Sequence, residues 1–232
     1  MVLNSIILLG GSGLLGKHLQ ELWARQGLHC VAPPSAQCNV ADRAAVEALL
    51  SEYPGTIVVH AAALTDVSAV ELDASDACDV NVAGTINVTA ACRKYNKRLV
   101  FISTDYVFAG HKGMYKTTDP IDPVNKYAMT KAAGELVART YDNSLVIRTS
   151  FCELKFPHKR AFVDQYTSRD YVDVIAPLIS RAILSGENGI KHVGTERKTV
   201  YDLASRRSPG VGKLNIRELP FSLPADTSLD LS

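Results

Sequence analysis

The chain has 232 residues, of which 47% are apolar, and a formal net charge of +1. That length suffices for one sizeable core, and 25 Lys plus Arg against 24 Asp plus Glu, with no block of like charge, gives no footing for a nucleic-acid or membrane partner. Five cysteines, odd in number and without a CxxC pair, read as reduced thiols in a cytoplasmic protein, with neither disulfides nor a metal site.

The N-terminus lacks the basic stretch of a signal peptide, and its apolar run is too short to span a bilayer. Ser5–Leu9 therefore reads as a first buried strand. Gly10, Gly11, Ser12, Gly13, Leu14, Leu15 and Gly16 follow, and then a helix over Lys17–Gln26. A strand, a glycine turn and a helix in that order make a crevice for a dinucleotide, with backbone amides against the pyrophosphate.

The next strand, Leu28–Ala32, ends in Pro33-Pro34-Ser35-Ala36-Gln37, with neither an acid for a ribose 2′-hydroxyl nor an arginine for a 2′-phosphate. Absence of the acid favours NADP(H) and leaves NAD(H) admissible. Asn39 and Val40 are placed against the adenine; the competing reading is a helix cap, by Asn39 or Asp42, for the helix Arg43–Glu52. After the strand Thr56–His60, the small residues Ala61, Ala62 and Ala63 leave room for a ring or a ribose, or simply pack closely. Asn81, in a helix expected over Asp73–Lys94, either bridges to backbone and water near the nicotinamide or lies on a solvated face.

The strand Arg98–Ser103 runs into Thr104-Asp105-Tyr106-Val107-Phe108, and the helix Lys126–Tyr141 carries Tyr127 and Lys131 four residues apart, on one face. Tyr127 is the only tyrosine in the chain with a lysine at that offset. A strand Ser144–Arg148 completes a βαβα order, which implies an α/β, Rossmann-type doubly wound parallel sheet. Beyond it, Phe151–Arg169 reads as irregular, Tyr171–Ser185 as helix, Gly189–Gly194 as a short strand returning to the sheet, and the tail from Ser205 as loops. The division expected is a dinucleotide-binding domain over 1–150 and a small substrate-binding region over 151–232, partly rejoining the sheet. The fork of Arg169 suits a diphosphate, or pairs with Asp170 or Asp173 at the surface.

On Gly10–Gly16, Val59–Val67, Val80–Val88, Ser103–Phe108, the Tyr127/Lys131 pair and Arg148-Thr149-Ser150, the chain resembles the extended short-chain dehydrogenase/reductases, and within them the dTDP-4-dehydrorhamnose reductase family. The resemblance covers most of the first 150 residues. It implies a catalytic triad of Thr104, Tyr127 and Lys131 and NAD(P)H-dependent reduction at C4 of a nucleotide-activated 4-keto-6-deoxy sugar. Tyr127 would protonate the oxygen, Lys131 would lower its pKa and hold the nicotinamide ribose, and Thr104 would polarise the carbonyl. Asp105, Tyr106, Phe151 and Arg169 would join Thr104 around the substrate, and a homodimer is compatible with the family. The chain departs from the pattern at Phe151, where the family has tryptophan, at Tyr166–Asp170, which is closer to sugar-nucleotide epimerases, and in a shorter C-terminal region. Two other readings stay open: an epimerase, and a non-catalytic NADP-binding subunit resembling the β subunit of methionine adenosyltransferase.

Overall fold

The apolar runs form strands buried on both faces, so they lack the alternation of a half-exposed sheet. In the computed structural model, which describes residues 5–232, these are β1 (Ile6–Leu9), β3 (Ile57–His60), β4 (Arg98–Thr104) and β5 (Ser144–Thr149), joined by β2 (Cys30–Val31) and β6 (Gly189–Val193). The expectation for the extreme N-terminus falls partly on residues 1–4, outside the described residues. All six strands are parallel, in the order β6-β5-β4-β3-β1-β2. The chain steps from β1 outward to β2, then crosses back to β3 on the other side of β1. This reversal opens a crevice at the carboxyl ends of the strands.

Helices cover both faces. On one, α1 (Leu14–Arg25) and α5 (Val172–Leu184) bury Leu15, Leu19, Trp23, Ile175 and Ile179 against Ile6, Leu8, Val59 and Ile147. The Trp23 indole N–H donates to Ser180 Oγ at 2.8 Å, satisfying the polar atom of the largest buried side chain. On the other face, α2 (Arg43–Glu52), α3 (Gly84–Lys94) and α4 (Lys126–Ala138) pack Val46, Leu50, Val88 and Ala138 onto Ile7, Val58, Leu99 and Val146.

Three segments differ from the sequence expectation. The single helix expected over Asp73–Lys94 is a turn at Ser75–Ala77, a π-helical stretch at Cys78–Ala83, and α3. The Thr85 hydroxyl donates to the Asn81 carbonyl at 2.7 Å, and a Cβ on Gly134 of α4 would come within 2.6 Å of that same oxygen. The two elements therefore meet backbone to backbone at the wide turn, a packing that hydrophobic periodicity does not register. The loop after β3 contains a helix, Val67–Leu72, capped by Asp66.

The tail is also more than loops. Its first residues complete α6 (Val200–Arg207), which opens on a capping box between Thr199 and Asp202. Gly212–Leu214 then pairs with Arg160–Phe162. The chain finally runs between two loops: Tyr166 N–H donates to Ala225 O at 2.7 Å, and Tyr115 N–H to Ser228 O at 2.9 Å.

Candidate active site

At the β1 end of the crevice the backbone turns at Gly10, with φ of +90°, where a Cβ would lie 2.5 Å from the Ala62 nitrogen. At Gly16 a Cβ would overlap the Gly10 carbonyl oxygen, so the first turn of α1 rests directly on the glycine turn. Gly13 caps α1 without a side-chain hydrogen bond, and the first turn holds no acid. The N–H groups of Leu14, Leu15 and Gly16, which have no partner inside the helix, are thus available to an anion. By contrast, α2 has its first amides occupied by the Asp42 carboxylate, at 2.9 and 3.2 Å.

From this turn a cleft of about 930 Å³ crosses the strand ends, past Ala61 and Ala63, to Thr104, Tyr106, Tyr127 and Lys131, and on to Phe151 and Arg169. Thr104 is the last residue of β4. Its Oγ1 accepts from Tyr106 N–H and donates to Asp105 Oδ1, both at 3.2 Å. Tyr127 enters from the first turn of α4, which Asn125 caps through a 2.8 Å bond from Ala128 N–H. Burial pushes the Tyr127 phenol well above its ordinary range, opposed by a hydrogen bond with Thr104. The phenol therefore carries its proton at neutral pH.

Lys131 lies one turn along α4, donates to the Ile102 carbonyl at 2.8 Å and stands 4.3 Å from the centre of the Phe101 ring. Burial pulls its ammonium down to about 7, with the Glu135 carboxylate opposing. The guanidinium of Arg169 also bears on the Tyr127 phenol, favouring its charged form. Arg169 Nε donates to Ser150 Oγ at 2.8 Å, and the guanidinium stands beside Asp105 and Tyr106. The residue assigned from sequence to a diphosphate thus shares a wall with the phenol. Exposed basic side chains of Lys159 and Arg160 line the cleft farther out.

Asp105 is fully enclosed, and its carboxylate faces threonines: it accepts from Thr227 at 2.7 Å and from Thr104 and Thr167 at 3.2 Å each. It holds Thr104 from behind and ties it to the tail. Below Lys131, the buried Glu135 accepts from Arg148 at 2.7 Å and from Ser103 at 2.8 Å, bracing α4 against β4 and β5.

Other residues assigned to the cofactor from sequence do not line the cleft. Gly11 lies beneath the turn, its carbonyl accepting from Gln20 at 2.7 Å, and neither Ser12 nor Ala62 contributes to the cleft surface. Asn39 caps its own turn through Ala41 N–H at 3.0 Å, and Val40 packs against Gly84. Asn81 is buried, neither solvated nor in the cleft. Its amide exchanges hydrogen bonds with the Leu64 backbone at 2.9 and 3.0 Å and donates to Thr130 at 2.9 Å, fastening the loop after β3 to α4. Sequence reasoning missed Thr149 and Ser150 at the end of β5 and the run His158-Lys159-Arg160, all lining the cleft. Three consecutive basic residues were the one available signal for the latter. Among the described residues, no group of three His, Cys, Asp or Glu side chains is placed to hold a metal ion, and no helix is long and apolar enough to cross a membrane.

Residues 4–176 match the family described as the RmlD substrate binding domain. A dTDP-4-dehydrorhamnose reductase of Aggregatibacter actinomycetemcomitans is 32% identical over 187 residues, covering 78% of this chain and 64% of that protein. The methionine adenosyltransferase 2 subunit beta of Xenopus laevis is 27% identical over 231 residues, covering 85% and 69%. In fold, a dTDP-4-dehydrorhamnose reductase of Bacillus anthracis solved in complex with NADP superposes with a TM-score of 0.90 at 24% identity, over 100% of this chain and 92% of that one. The chain spans about half to two thirds of the length of the curated dTDP-4-dehydrorhamnose reductases it matches. With three quarters of its length under that one match, the chain belongs to the RmlD substrate binding domain family.

Proposed function

We propose that this protein reduces the C4 keto group of a nucleotide-linked 4-keto-6-deoxy sugar with NADPH, in the cytoplasm. The observation that carries the reading is the position of Tyr127. A protonated phenol beside Thr104 stands in the same cleft as a helix N-terminus with free amides. The glycine turn and the first turn of α1 fit a pyrophosphate, and the end of β2 carries no acid to repel a 2′-phosphate. NADPH, when bound, supplies the hydride.

The chain's own groups do the rest. Thr104 orients the carbonyl oxygen, Tyr127 donates its proton to that oxygen, and Lys131 lies close enough to the strand ends to hold a ribose hydroxyl. Residues after 150 form the outer part of the cleft, where Lys159 and Arg160 suit a diphosphate and Phe221 and Leu223 a base. In support, relatives named dTDP-4-dehydrorhamnose reductase share up to 36% of residues over 152 positions. The test is loss of reduced-nicotinamide absorbance with dTDP-4-keto-6-deoxyhexoses as substrates. Turnover supports the reading; none with any of them refutes it.

A second reading, a cofactor-binding subunit without turnover, draws on the relative from Xenopus and on Lys131, whose ammonium the Ile102 carbonyl holds. NADPH binding without oxidation would favour it.

A further inference from the structure

Among the described residues, four buried side-chain polar atoms have no hydrogen-bond partner: His60 Nδ1, Thr89 Oγ1, Thr149 Oγ1 and Ser208 Oγ. Of these residues only Thr149 lines the cleft. An unpaired buried hydroxyl is costly, so one at the wall of a binding cleft marks a position that a ligand completes.

Thr149 is the last residue of β5 and the register partner of Thr104. Residues paired this way share a face of the sheet, so the two threonines stand side by side at the strand ends. Their hydroxyls differ in one respect. That of Thr104 is held by Asp105 and Tyr106, whereas that of Thr149 is unengaged and 3% of the residue is exposed. The sheet order separates β5 from β1 by three inter-strand steps, about 14 Å. A pyrophosphate on the glycine turn is therefore out of reach of Thr149. What crosses the floor of the crevice at β5 is the reactive end of a dinucleotide. The groups that face the cleft from outside this floor, Tyr106 and Arg169, lie beyond the end of β4 and before α5 and belong to the substrate side.

We infer that the Thr149 hydroxyl binds the carboxamide of the nicotinamide and so fixes which face of the ring meets the carbonyl beside Tyr127. The chemistry matches on both sides. A hydroxyl both donates and accepts, and the carboxamide presents one carbonyl and one NH₂ at the edge of an otherwise apolar ring. The inference rests on the NADPH reading above.

The test uses Thr149→Val, which keeps the shape and removes the hydroxyl, with Thr149→Ser as the variant that restores it. Affinities are measured by calorimetry for NADPH and for 2′-phospho-ADP-ribose, which lacks the nicotinamide. The valine variant should bind NADPH about three- to tenfold more weakly, the worth of one neutral hydrogen bond. It should bind the fragment as the parent does, and serine should recover NADPH affinity. The ligand-free valine variant should melt at the parental temperature or above, because it buries no unpaired hydroxyl. A residue that only supports the fold would show the opposite, a lower melting temperature with both ligands weakened alike, and that result overturns the inference. Unchanged NADPH affinity, or a change confined to the KM of the sugar, overturns it as well. Failure of the parent itself to bind NADPH would sink the functional reading, and this inference with it.

Discussion

Replacing Glu135 by leucine strips the bonded carboxylate from a guanidinium that is 1% exposed. Arg148 reaches Glu135 through Nη2 at 2.7 Å and through Nε at 3.2 Å to both oxygens, and its remaining contacts include the Thr117 carbonyl, His192 and the face of the Phe108 ring. None of these neutralises a buried cation. Breaking such a pair from one side costs about 3–5 kcal/mol, because the desolvated charge stays behind. For a chain of this size each kcal/mol lowers the melting temperature by about 2–4 °C, so Glu135→Leu should melt about 6–20 °C below the parent. Arg148→Met should cost a similar amount. The double variant should cost less than either alone, since it replaces two desolvated charges with apolar volume. Urea unfolding of all four proteins closes the cycle. If the two single losses add to within about 0.5 kcal/mol, the ions are not coupled and the brace between α4 and the sheet does not exist as described.

Gly16→Ala should abolish tight NADPH binding, because its Cβ would overlap the Gly10 carbonyl oxygen and force α1 off the turn; calorimetry at parental affinity would contradict this. Lys131 has a folded pKa of about 7 against 10.5 for the free side chain, so between those values the unfolded chain holds the extra proton. Relative to Lys131→Met, the parent should therefore gain stability as pH rises from about 7 to 10.5, by a few kcal/mol, and show no further divergence below 7. Unfolding midpoints that stay parallel across that range would refute the burial of Lys131. Arg169→Ala removes the guanidinium beside the phenol and should lower kcat with NADPH affinity intact; a rise in KM alone would return Arg169 to the diphosphate.

What was legible in the sequence is what depends on near neighbours. The glycine turn reads out because β1, the turn and α1 are contiguous, and Tyr127 and Lys131 because helical spacing alone puts them on one face. The companions of Thr104 were not legible. Thr149 stands beside it through strand register, and Thr227 reaches Asp105 from the far end of the chain, so no local pattern shows that either lies next to Thr104. Asn81 shows the same limit from another direction. Whether a helical amide faces solvent, a cofactor or a neighbouring loop depends on a π-helical turn and on the Leu64 backbone, and only packing decides between them. Arg169 was found by motif, but its neighbours Ser150, Asp105 and Tyr106 were not legible, because sequence says nothing of how the segment after β5 folds back on Tyr106.

The direct test of the account is the rate of hydride transfer from NADPH to a dTDP-4-keto-6-deoxyhexose in a single turnover, for the parent and for Tyr127→Phe. The variant keeps the ring and loses the proton donor. Its NADPH affinity should match the parent, and its rate should fall by about 10²–10⁴-fold, the range for general acid catalysis. A Tyr127→Phe rate near that of the parent, or a parent that binds NADPH yet reduces no keto sugar, would contradict it.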